Sequence, residues 1–340
     1  MKLIHSTLAK SPELYKEVIT LIEESFNYPS KHAFDTDFYT LMNPINHDHC
    51  HILLNDKKEV VAHIGVALKT MAKKSISTQA AFIGGIAVSK ELRGKGIFKE
   101  FLTDILSRYE KSCAFFILWS EKDDMYAKFN FIEFGSVLQT GMQELTDEIN
   151  GFRKESFSKL SKEDFKRIKE LYANRLEHYI HPLRSSRDWD TIASISSSSL
   201  YISRKNDRIE NYFLLNKGFD LPGIIHECSF LNDEELVNAF KDYRLWLPEK
   251  HIQYIESHHE IYVGLIKINP NNLFKNFIED IFKKDIVISS LENDIIHFSF
   301  LDKDYKTTYT EFIHMIFGPR PALELLPYSN FFYIPGLDSI

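Results

Sequence analysis

The chain has few cysteines, prolines and glycines, and it lacks a long hydrophobic run. Its 340 residues include 3 cysteines, 11 prolines and 13 glycines. Three cysteines are too few for a disulfide framework, which is typical of a protein from a reducing compartment. Residues 1–6 contain no apolar segment of the signal-peptide type, and no run reaches the roughly 18 apolar residues that a membrane-spanning helix requires. These absences predict a cytoplasmic protein without a membrane partner.

The chain also lacks an excess of basic residues. It has 41 Lys and Arg against 48 Asp and Glu, which gives a formal net charge of −7. Because a general nucleic-acid binder needs a basic face, this balance argues against a nucleic-acid partner. Apolar residues are abundant instead, at 44% hydrophobic and 14% aromatic with 27 Phe. The length and this composition predict a well-packed globular protein with at least two domains.

The most informative segment is an apolar strand that leads through a glycine-containing turn into a helix. Its residues are Ile86, Ala87 and Val88 in the strand, Arg93, Gly94, Lys95 and Gly96 in the turn, and Ile97 and Phe98 at the start of the helix. The glycines let the backbone bend so that several N–H groups point at one spot, where the helix dipole also favours an anion. Since the turn carries two basic side chains as well, the segment predicts a site for a phosphate-bearing cofactor.

A second strand and an aromatic motif follow this segment. Residues 114–119 are six apolar residues in a row, which is typical of a strand buried on both faces. Strand, helix and strand together predict a right-handed parallel βαβ unit. Just beyond it lies the segment 126–131, with the sequence YAKFNF.

These segments resemble the GNAT superfamily of N-acetyltransferases, which bind the acetyl-CoA pyrophosphate with an R/Q-x-x-G-x-G/A loop followed by Y-x-K-x-G-F. The matching residues are Arg93, Gly96, Tyr126, Lys128 and Phe131. Phe98 stands where Gly or Ala is usual, and Asn130 stands where Gly is usual. The resemblance covers roughly residues 1–150 and implies an α/β mixed sheet of the GNAT fold. It also implies acetyl-CoA as co-substrate and no metal.

The order of elements is repeated after residue 150, so we expect two tandem GNAT-like folds. The expected parts are a catalytic domain over 1–150, a degenerate second GNAT-like domain over 151–270, and a small C-terminal α/β extension with an apolar tail over 271–340. The second part carries acidic residues and no glycine at 229–235, where the first part has its loop. Acids in the first helical turn repel a pyrophosphate. Tandem domains with such a tail resemble the enhanced-intracellular-survival (Eis) acetyltransferases.

Some local patterns lead to further expectations about structure. Residues 131–142 predict one strand that closes the first domain, and 258–260 predict the end of a helix. The third part predicts helices over 272–284 and 307–317 with strands near 285–290 and 294–301. Gly84 and Gly85 suit either a bulge or a close backbone approach.

The resemblance also implies roles for the site residues. Backbone groups of Ile86, Ala87 and Val88 would pair with the pantetheine amides, the turn at 93–98 would hold the pyrophosphate, and Ser120 would also contact the cofactor. Tyr126 would protonate the departing CoA sulfur. The amine of a small molecule or peptide would attack the thioester directly in a ternary complex. The alternative is a non-catalytic acyl-CoA sensor or interaction module.

The general base stays open at this stage. The strand before the loop carries no carboxylate, although many members of the superfamily have one there. The candidates are Glu121, Glu23, Glu24, His63, a chain of waters, and the C-terminal carboxylate of Ile340, since Eis-like enzymes use their C-terminus. Two polar clusters suggest only structural roles. Residues 47–51 are explained by a polar loop rather than a metal site, and His226 and Glu227 suggest hydrogen bonds at a domain interface.

Overall fold

In the part of the chain that it describes, the computed structural model has a mixed α/β architecture built on three sheets. It describes residues 3–143, 149, 151–248, 258–318 and 332–340. The strands in chain order are β1 (Ile4–Thr7), β2 (Cys50–Leu54), β3 (Val60–Lys73), β4 (Ile76–Val88), β5 (Phe115–Leu118), β6 (Ile132–Phe134), β7 (Val137–Thr140), β8 (Arg153–Glu155), β9 (His181–Pro182), β10 (Ser199–Lys205), β11 (Arg208–Leu215), β12 (Ile225–Cys228), β13 (Leu245–Pro248), β14 (His258–Ile261), β15 (Gly264–Ile268), β16 (Ile286–Glu292), β17 (Ile295–Phe300) and β18 (Lys303–Thr308). The helices are α1 (Tyr15–Phe26), α2 (Phe34–Asp37), α3 (Tyr39–Met42), α4 (Ile97–Tyr109), α5 (Asp123–Ala127), α6 (Lys162–Leu176), α7 (Ser186–Ala193), α8 (Asp233–Phe240), α9 (Asn272–Ile281) and α10 (Tyr309–Phe317).

The first sheet has the strand order β1-β2-β3-β4-β5-β15-β6, and the short β9 pairs with β3. Among these strands only β4 and β5 are parallel, as the βαβ pattern predicts. Apolar side chains of α4 cover one face of the sheet, and those of α1 and α9 cover the other. The sheet is therefore buried on both faces, which explains the continuous apolar run of β5.

The second sheet repeats this plan. Its order is β8-β10-β11-β12-β13-β7-β14, and its parallel pair, β12 and β13, occupies the same place in the row as β4 and β5 do in the first sheet. Helices α6 and α7 pack on one face and α8 packs on the other. The predicted fold class, two GNAT-like folds in tandem, is confirmed.

The two sheets exchange strands. The segment 131–142, predicted as a single strand, is interrupted at Gly135, so that β6 stays in the first sheet while β7 enters the second. In return β15, from late in the chain, lies between β5 and β6 in the first sheet. The expectation that 131–142 closes the first domain was therefore wrong, and the boundaries proposed near 150 and 270 are crossed by strand pairing.

Two further expectations need correction. Residues 258–260 form the edge strand β14 rather than a helix end, because the free edge of β7 offers them backbone partners. The third sheet contains β18 beside the two predicted strands, in the order β16-β17-β18. Helices α9 and α10 agree with the predicted positions to within a few residues.

The C-terminal residues 332–340 are buried in the body of the protein. Ile340 and Phe332 join the core between the first sheet, α1 and α9, while Tyr333 and Leu337 join the core of the second part. Of the apolar tail predicted over 325–340, residues 325–331 lie outside the described residues. Within the described parts of the chain, no helix is long and apolar enough to span a bilayer.

Candidate active site

The two parallel strands of the first sheet separate after a short stretch of pairing. The ladder between β4 and β5 ends at Ile83, opposite Leu118, whereas β4 remains paired with β3 as far as Val88. Beyond Ile83, no strand of the described residues pairs with the β5-facing edge of β4. That open edge carries Ile86, Ala87 and Val88, the predicted pantetheine-binding residues. We call the point of separation, at Ile83 and Leu118, the fork.

The predicted anion-binding turn lies between the open edge and α4. Gly94 and Gly96 have φ angles of 75° and 83°, which favour glycine. A Cβ atom at either position would meet nothing within 4 Å, so both glycines border open space. Gly96 is the N-cap of α4 and provides no side-chain cap. The first amides of the helix, from Ile97 onward, therefore keep their donors available for a bound anion.

The basic residues of the turn differ in their contacts. Arg93 Nε donates to the Val88 carbonyl oxygen at 3.0 Å, and Arg93 Nη2 donates to Ser25 Oγ at 3.2 Å. This side chain therefore connects the turn to the end of β4 and to α1. Lys95 is exposed beside it. Both cations lie at the helix N-terminus, where positive charge adds to the pull of the dipole on an anion.

The equivalent helix of the second part, α8, is capped in a different way. The Asn232 side chain accepts hydrogen bonds from the backbone N–H groups of Glu234 and Glu235, at 2.9 and 3.3 Å. The donors that a pyrophosphate would use are thus already occupied, and acidic side chains follow them. This contrast favours a cofactor site at α4 alone.

Phe98 and Tyr126 are in direct contact. Their rings meet edge to face at a centroid distance of 5.8 Å, and Phe98 meets Phe129 in the same way at 5.5 Å. The side chain that departs from the family pattern therefore packs against the tyrosine motif. Asn130, the other departure, has a φ of 62°, a left-handed conformation that asparagine tolerates.

Tyr126 is 5% exposed and belongs to the apolar cluster on the α4 face of the sheet. Burial raises the pKa of its phenol to about 12. The hydroxyl group therefore keeps its proton near neutral pH, as a proton donor must.

Ile340 reaches the fork from the opposite face. A Cβ atom built on Gly84, the first residue of β4 beyond the fork, would lie 2.7 Å from the backbone carbonyl carbon of Ile340 and 3.0 Å from its oxygen. Only a glycine allows this approach. The strand also bulges here, with a register shift opposite His63 and a φ of 59° at Gly85. The strand therefore has both features that the sequence allows at Gly84 and Gly85, a bulge and a close approach of another backbone segment.

His63 lies beside this bulge and is fully buried. Its Nδ1 is 2.7 Å from the Gly85 carbonyl oxygen, so Nδ1 carries the proton and donates it. Among the described residues, Nε2 has no hydrogen-bond partner. Burial lowers the pKa of the imidazole to about 4, so it is neutral at pH 7.

The other sequence-derived candidates have less favourable settings. Glu23 Oε1 accepts from the Phe34 backbone N–H at 2.9 Å, which places it in a helix-capping role. Glu24 and Glu121 are exposed. Ser120 Oγ accepts from the Lys122 N–H at 3.0 Å, at the start of α5.

The sequence indicates Trp119 as a residue that could shape the acyl pocket but gives it no position, and the structure puts it directly after Leu118 of the fork. Its ring meets Phe82 edge to face at 5.3 Å, and its Nε1 donates to the Val263 carbonyl oxygen at 2.8 Å. Gly264 lies against the same indole. Trp119 thus connects the end of β5 to the start of β15. Its place at the end of the apolar run was the available signal.

Neither polar cluster noted in the sequence has an arrangement of metal ligands. His49 Nδ1 and His51 Nε2 each lie 2.8 Å from the Tyr109 hydroxyl oxygen. Glu227 accepts hydrogen bonds from Arg184 and Tyr212, a structural role at an interface. In the described part of the chain, no group of three or more His, Cys, Asp or Glu side chains could hold a metal ion.

Comparison with known proteins identifies the family of the first part of the chain. Residues 9–133 match the sequence model of the family described as an acetyltransferase (GNAT) domain. This segment therefore defines a GNAT acetyltransferase domain, and the predicted superfamily and enzyme class, an acyltransferase, are confirmed for it. Among curated protein sequences, none matches the chain.

Several solved structures share the fold across most of the chain. A conserved protein from Enterococcus faecalis, described as a "Probable N-Acyltransferase", has a TM-score of 0.60 at 14% identity, with 97% of this chain and 93% of that chain covered. A GCN5-related N-acetyltransferase from Kribbella flavida has a TM-score of 0.57 at 13% identity, covering 78% and 71%. Eis1 from Mycobacterium abscessus has a TM-score of 0.54 at 11% identity, covering 90% and 85%. At these identities the likeness shows the fold alone.

Proposed function

We propose that the protein transfers an acetyl group from acetyl-CoA to the amine of a small molecule or peptide, by direct attack in a ternary complex. The observation that carries the proposal is the fork. The open edge of β4 begins at the fork and leads to the uncapped N-terminus of α4. Tyr126 belongs to the same apolar cluster as Ile83 and Leu118 on the α4 side, and Ile340 approaches Gly84 from the other face. In this proposal, a thioester bound along the open edge has Tyr126 as its proton donor and the Ile340 carboxyl group as the base.

The residues of the turn bind and orient the co-substrate. In this proposal, the amides of Gly96 and Ile97 and the charges of Arg93 and Lys95 receive the pyrophosphate, and the open edge at Ile86–Val88 pairs with the pantetheine amides. The backbone of Gly94 and the N–H of Phe98 complete the turn, and Ser120 contacts the cofactor at the start of α5. Tyr126 donates its proton to the departing thiolate, which leaves as a thiol.

The base we propose is the carboxyl group of Ile340. In a chain that ends at this residue, the carbonyl beside Gly84 belongs to a carboxylate, and the surrounding core excludes water from one side of it. The carboxylate would take a proton from the attacking amine. Glu121, which is exposed beyond β5, is the second candidate for this role.

The second part of the chain serves, in this proposal, as a support and a wall of the acceptor site. Its own helix N-terminus at α8 is occupied by Asn232. We propose the division into a catalytic part over 1–150, a degenerate second GNAT-like part over 151–270 and an extension over 271–340, with strands exchanged between the first two.

A thiol-release assay tests the function. Purified protein is incubated with acetyl-CoA and a panel of polyamines, aminoglycosides and lysine peptides, and free CoA is measured over time. We expect amine-dependent release that is abolished in the Gly96→Val variant. Binding of acetyl-CoA by calorimetry without release for any amine would favour the non-catalytic acyl-CoA sensor instead.

Extending the chain tests the base. Two residues added after Ile340 should lower kcat by at least about 100-fold, in the range of lost acid–base catalysis, with little change in melting temperature. Glu121→Gln is the comparison. If the extended chain keeps its activity and Glu121→Gln loses it, Glu121 is the base.

A further inference from the structure

Buried charged side chains surround the C-terminal tail just before it reaches the fork. Asp338 is fully buried. Its Oδ2 accepts hydrogen bonds from Arg184 Nη2 at 2.7 Å and from Arg184 Nε at 3.0 Å. Its Oδ1 lies 3.7 Å from Lys69 Nζ on β3. One carboxylate of the tail is thus hydrogen-bonded to the second part of the chain and lies within ion-pair distance of Lys69 on the first sheet, which itself donates to Asp188 Oδ1 at 3.1 Å.

Arg184 is itself held from several sides. Its guanidinium donates to both carboxylate oxygens of Glu227, and it lies over the rings of Tyr172 and Trp189 at 4.1 and 4.7 Å. Glu227 also accepts from the Tyr212 hydroxyl at 2.6 Å. The guanidinium is therefore a fixed point, with little freedom to move with the tail.

Ser339, the next residue of the tail, is held by a third cation. Lys217 Nζ donates to the carbonyl oxygen of Ser339 at 2.9 Å and to its Oγ at 3.0 Å. It also pairs with Asp220 at 3.0 Å. The Thr40 hydroxyl donates to the Leu337 carbonyl oxygen at 3.2 Å. Directed polar contacts therefore hold each of residues 337–339, and residue 340 follows at Gly84.

A buried ion pair adds little net stability compared with apolar side chains of the same size, because removing the charges from water is costly. Charged hydrogen bonds do impose one geometry, since a guanidinium meets a carboxylate in few orientations. Contacts between the apolar residues of the tail and the core are not directional, so they favour burial without fixing the position of the tail along the core. The ion pairs therefore fix the position of the tail relative to the two sheets, and they add little to the free energy of unfolding.

We propose that Lys69, Arg184 and Lys217 are positioning residues that act through Asp338 and Ser339 to aim Ile340 at the fork. We call these five residues the tail clasp. The inference rests on the proposed function, because it gives the tail clasp the task of fixing the carboxyl group of Ile340. It assigns part of the active-site geometry to residues that do not touch substrate.

Asp338→Asn tests the tail clasp, because it keeps the size of the side chain and removes its charge. We expect kcat to fall by at least about tenfold, since small displacements of a reacting group cost one to two orders of magnitude in rate. KM for acetyl-CoA should stay within about twofold, because the turn at 93–98 is untouched. The control is Asp164→Asn, which breaks the Arg204 pair at 2.8 Å away from the tail and should leave kcat within about twofold.

A merely structural role predicts a different result. It would lower the melting temperature and the folded fraction, while kcat per folded molecule, counted by acetyl-CoA binding stoichiometry in calorimetry, would match the parent. That result overturns the proposal. If Asp338→Asn does not fold, Lys69→Met leaves the Arg184–Asp338 pair in place and should lower kcat about threefold to tenfold. An unchanged kcat in Lys69→Met also overturns it.

A chain lacking Ile340 separates this inference from the proposed function. Loss of kcat in that chain, with normal rates in Asp338→Asn and Lys69→Met, refutes the tail clasp alone. Full activity in the chain lacking Ile340 refutes the role of its carboxyl group and the tail clasp together. Absence of amine-dependent CoA release by the parent protein refutes the proposed function itself.

Discussion

At the scale of single residues, glycines decide what the site can hold. Gly96 leaves the N-terminus of α4 uncapped and borders open space, while Gly84 admits the carbonyl group of Ile340. Phe98, which stands where the superfamily prefers a small residue, has its ring against Tyr126 and Phe129. The departure in sequence therefore strengthens the contact between the turn and the tyrosine motif.

Replacing Gly96 by valine should abolish high-affinity binding of acetyl-CoA. The β-branched side chain would occupy the anion position and resist a φ of 83°, so we expect affinity to fall by at least about tenfold, or about 1.4 kcal/mol. Calorimetry measures it. Gly151→Val is the matched control, because Gly151 has a φ of 86° and equally open surroundings. Equal affinities in the two variants would show that the turn does not hold the cofactor.

Replacing Tyr126 by phenylalanine should lower kcat far more than it weakens acetyl-CoA binding. Loss of a general acid costs about 10²–10⁴-fold in rate, whereas one hydroxyl contributes roughly 1 kcal/mol to binding. Steady-state kinetics with an accepted amine separates the two effects. Tyr109→Phe loses a hydroxyl that contacts His49 and His51 and should leave kcat within about twofold. A similarly small change in Tyr126→Phe would assign protonation of the thiolate to another group.

At the scale of elements, the exchange of β7 and β15 connects the two GNAT-like parts. The chain leaves the first sheet after β6 at Gly135, where φ is 62°. A Cβ atom there would lie 2.7 Å from Val263 Cγ2, on the segment that leads into β15. The two crossing segments therefore touch at one glycine.

Gly135→Ala should destabilise the protein through this crossing. Backbone strain at positive φ costs about 1 kcal/mol, and we expect the clash with Val263 to bring the loss in the free energy of unfolding to about 2–4 kcal/mol. Urea unfolding measures it. Gly151→Ala carries the strain without a neighbour and should cost about 1 kcal/mol. Equal losses would mean that the crossing tolerates a side chain.

At the scale of the whole molecule, buried neutral histidines connect stability to pH. Burial lowers the pKa of His63 to about 4 and that of His51 and His226 to about 3. In the unfolded chain a histidine titrates near pH 6.5. Between pH 6.5 and 4, these histidines therefore bind protons in the unfolded chain but not in the folded protein. As a result, the free energy of unfolding falls as the pH falls through this range.

The loss on acidification should shrink when one of these histidines is replaced. At pH 5, each contributes up to about 2 kcal/mol to the loss relative to pH 7.5. Urea unfolding of His63→Gln at both pH values should show a decrease smaller by about that amount. His178→Gln, with a side chain 63% exposed, should behave like the parent. An unchanged pH dependence in His63→Gln would contradict the burial of a neutral imidazole.

The sequence alone determined the local parts of the site. The glycine-containing turn, the apolar stripe of α4, the buried run of β5 and the tyrosine motif are each set by residues close together in the chain. Their periodicities and backbone preferences persist in any context. For that reason the sequence predicts the parallel strands β4 and β5 and the helix α4 between them where the structure has them, and the roles of the turn and of Tyr126 stay proposals.

Only the tertiary structure decided how the two halves share strands and where the tail ends. An isolated strand pattern does not say which sheet edge it will join, so the sequence leaves the partners of β7 and β15 open and predicts a helix end at 258–260, where the structure has the edge strand β14. In the proposed tail clasp, the contact of Ile340 with Gly84 likewise depends on the hydrogen bonds of Asp338 and Ser339 with Arg184 and Lys217, which are distant in the sequence. Contacts between segments distant in the sequence depend on the tertiary structure, because closing a long loop costs entropy that is offset only when several such contacts form together.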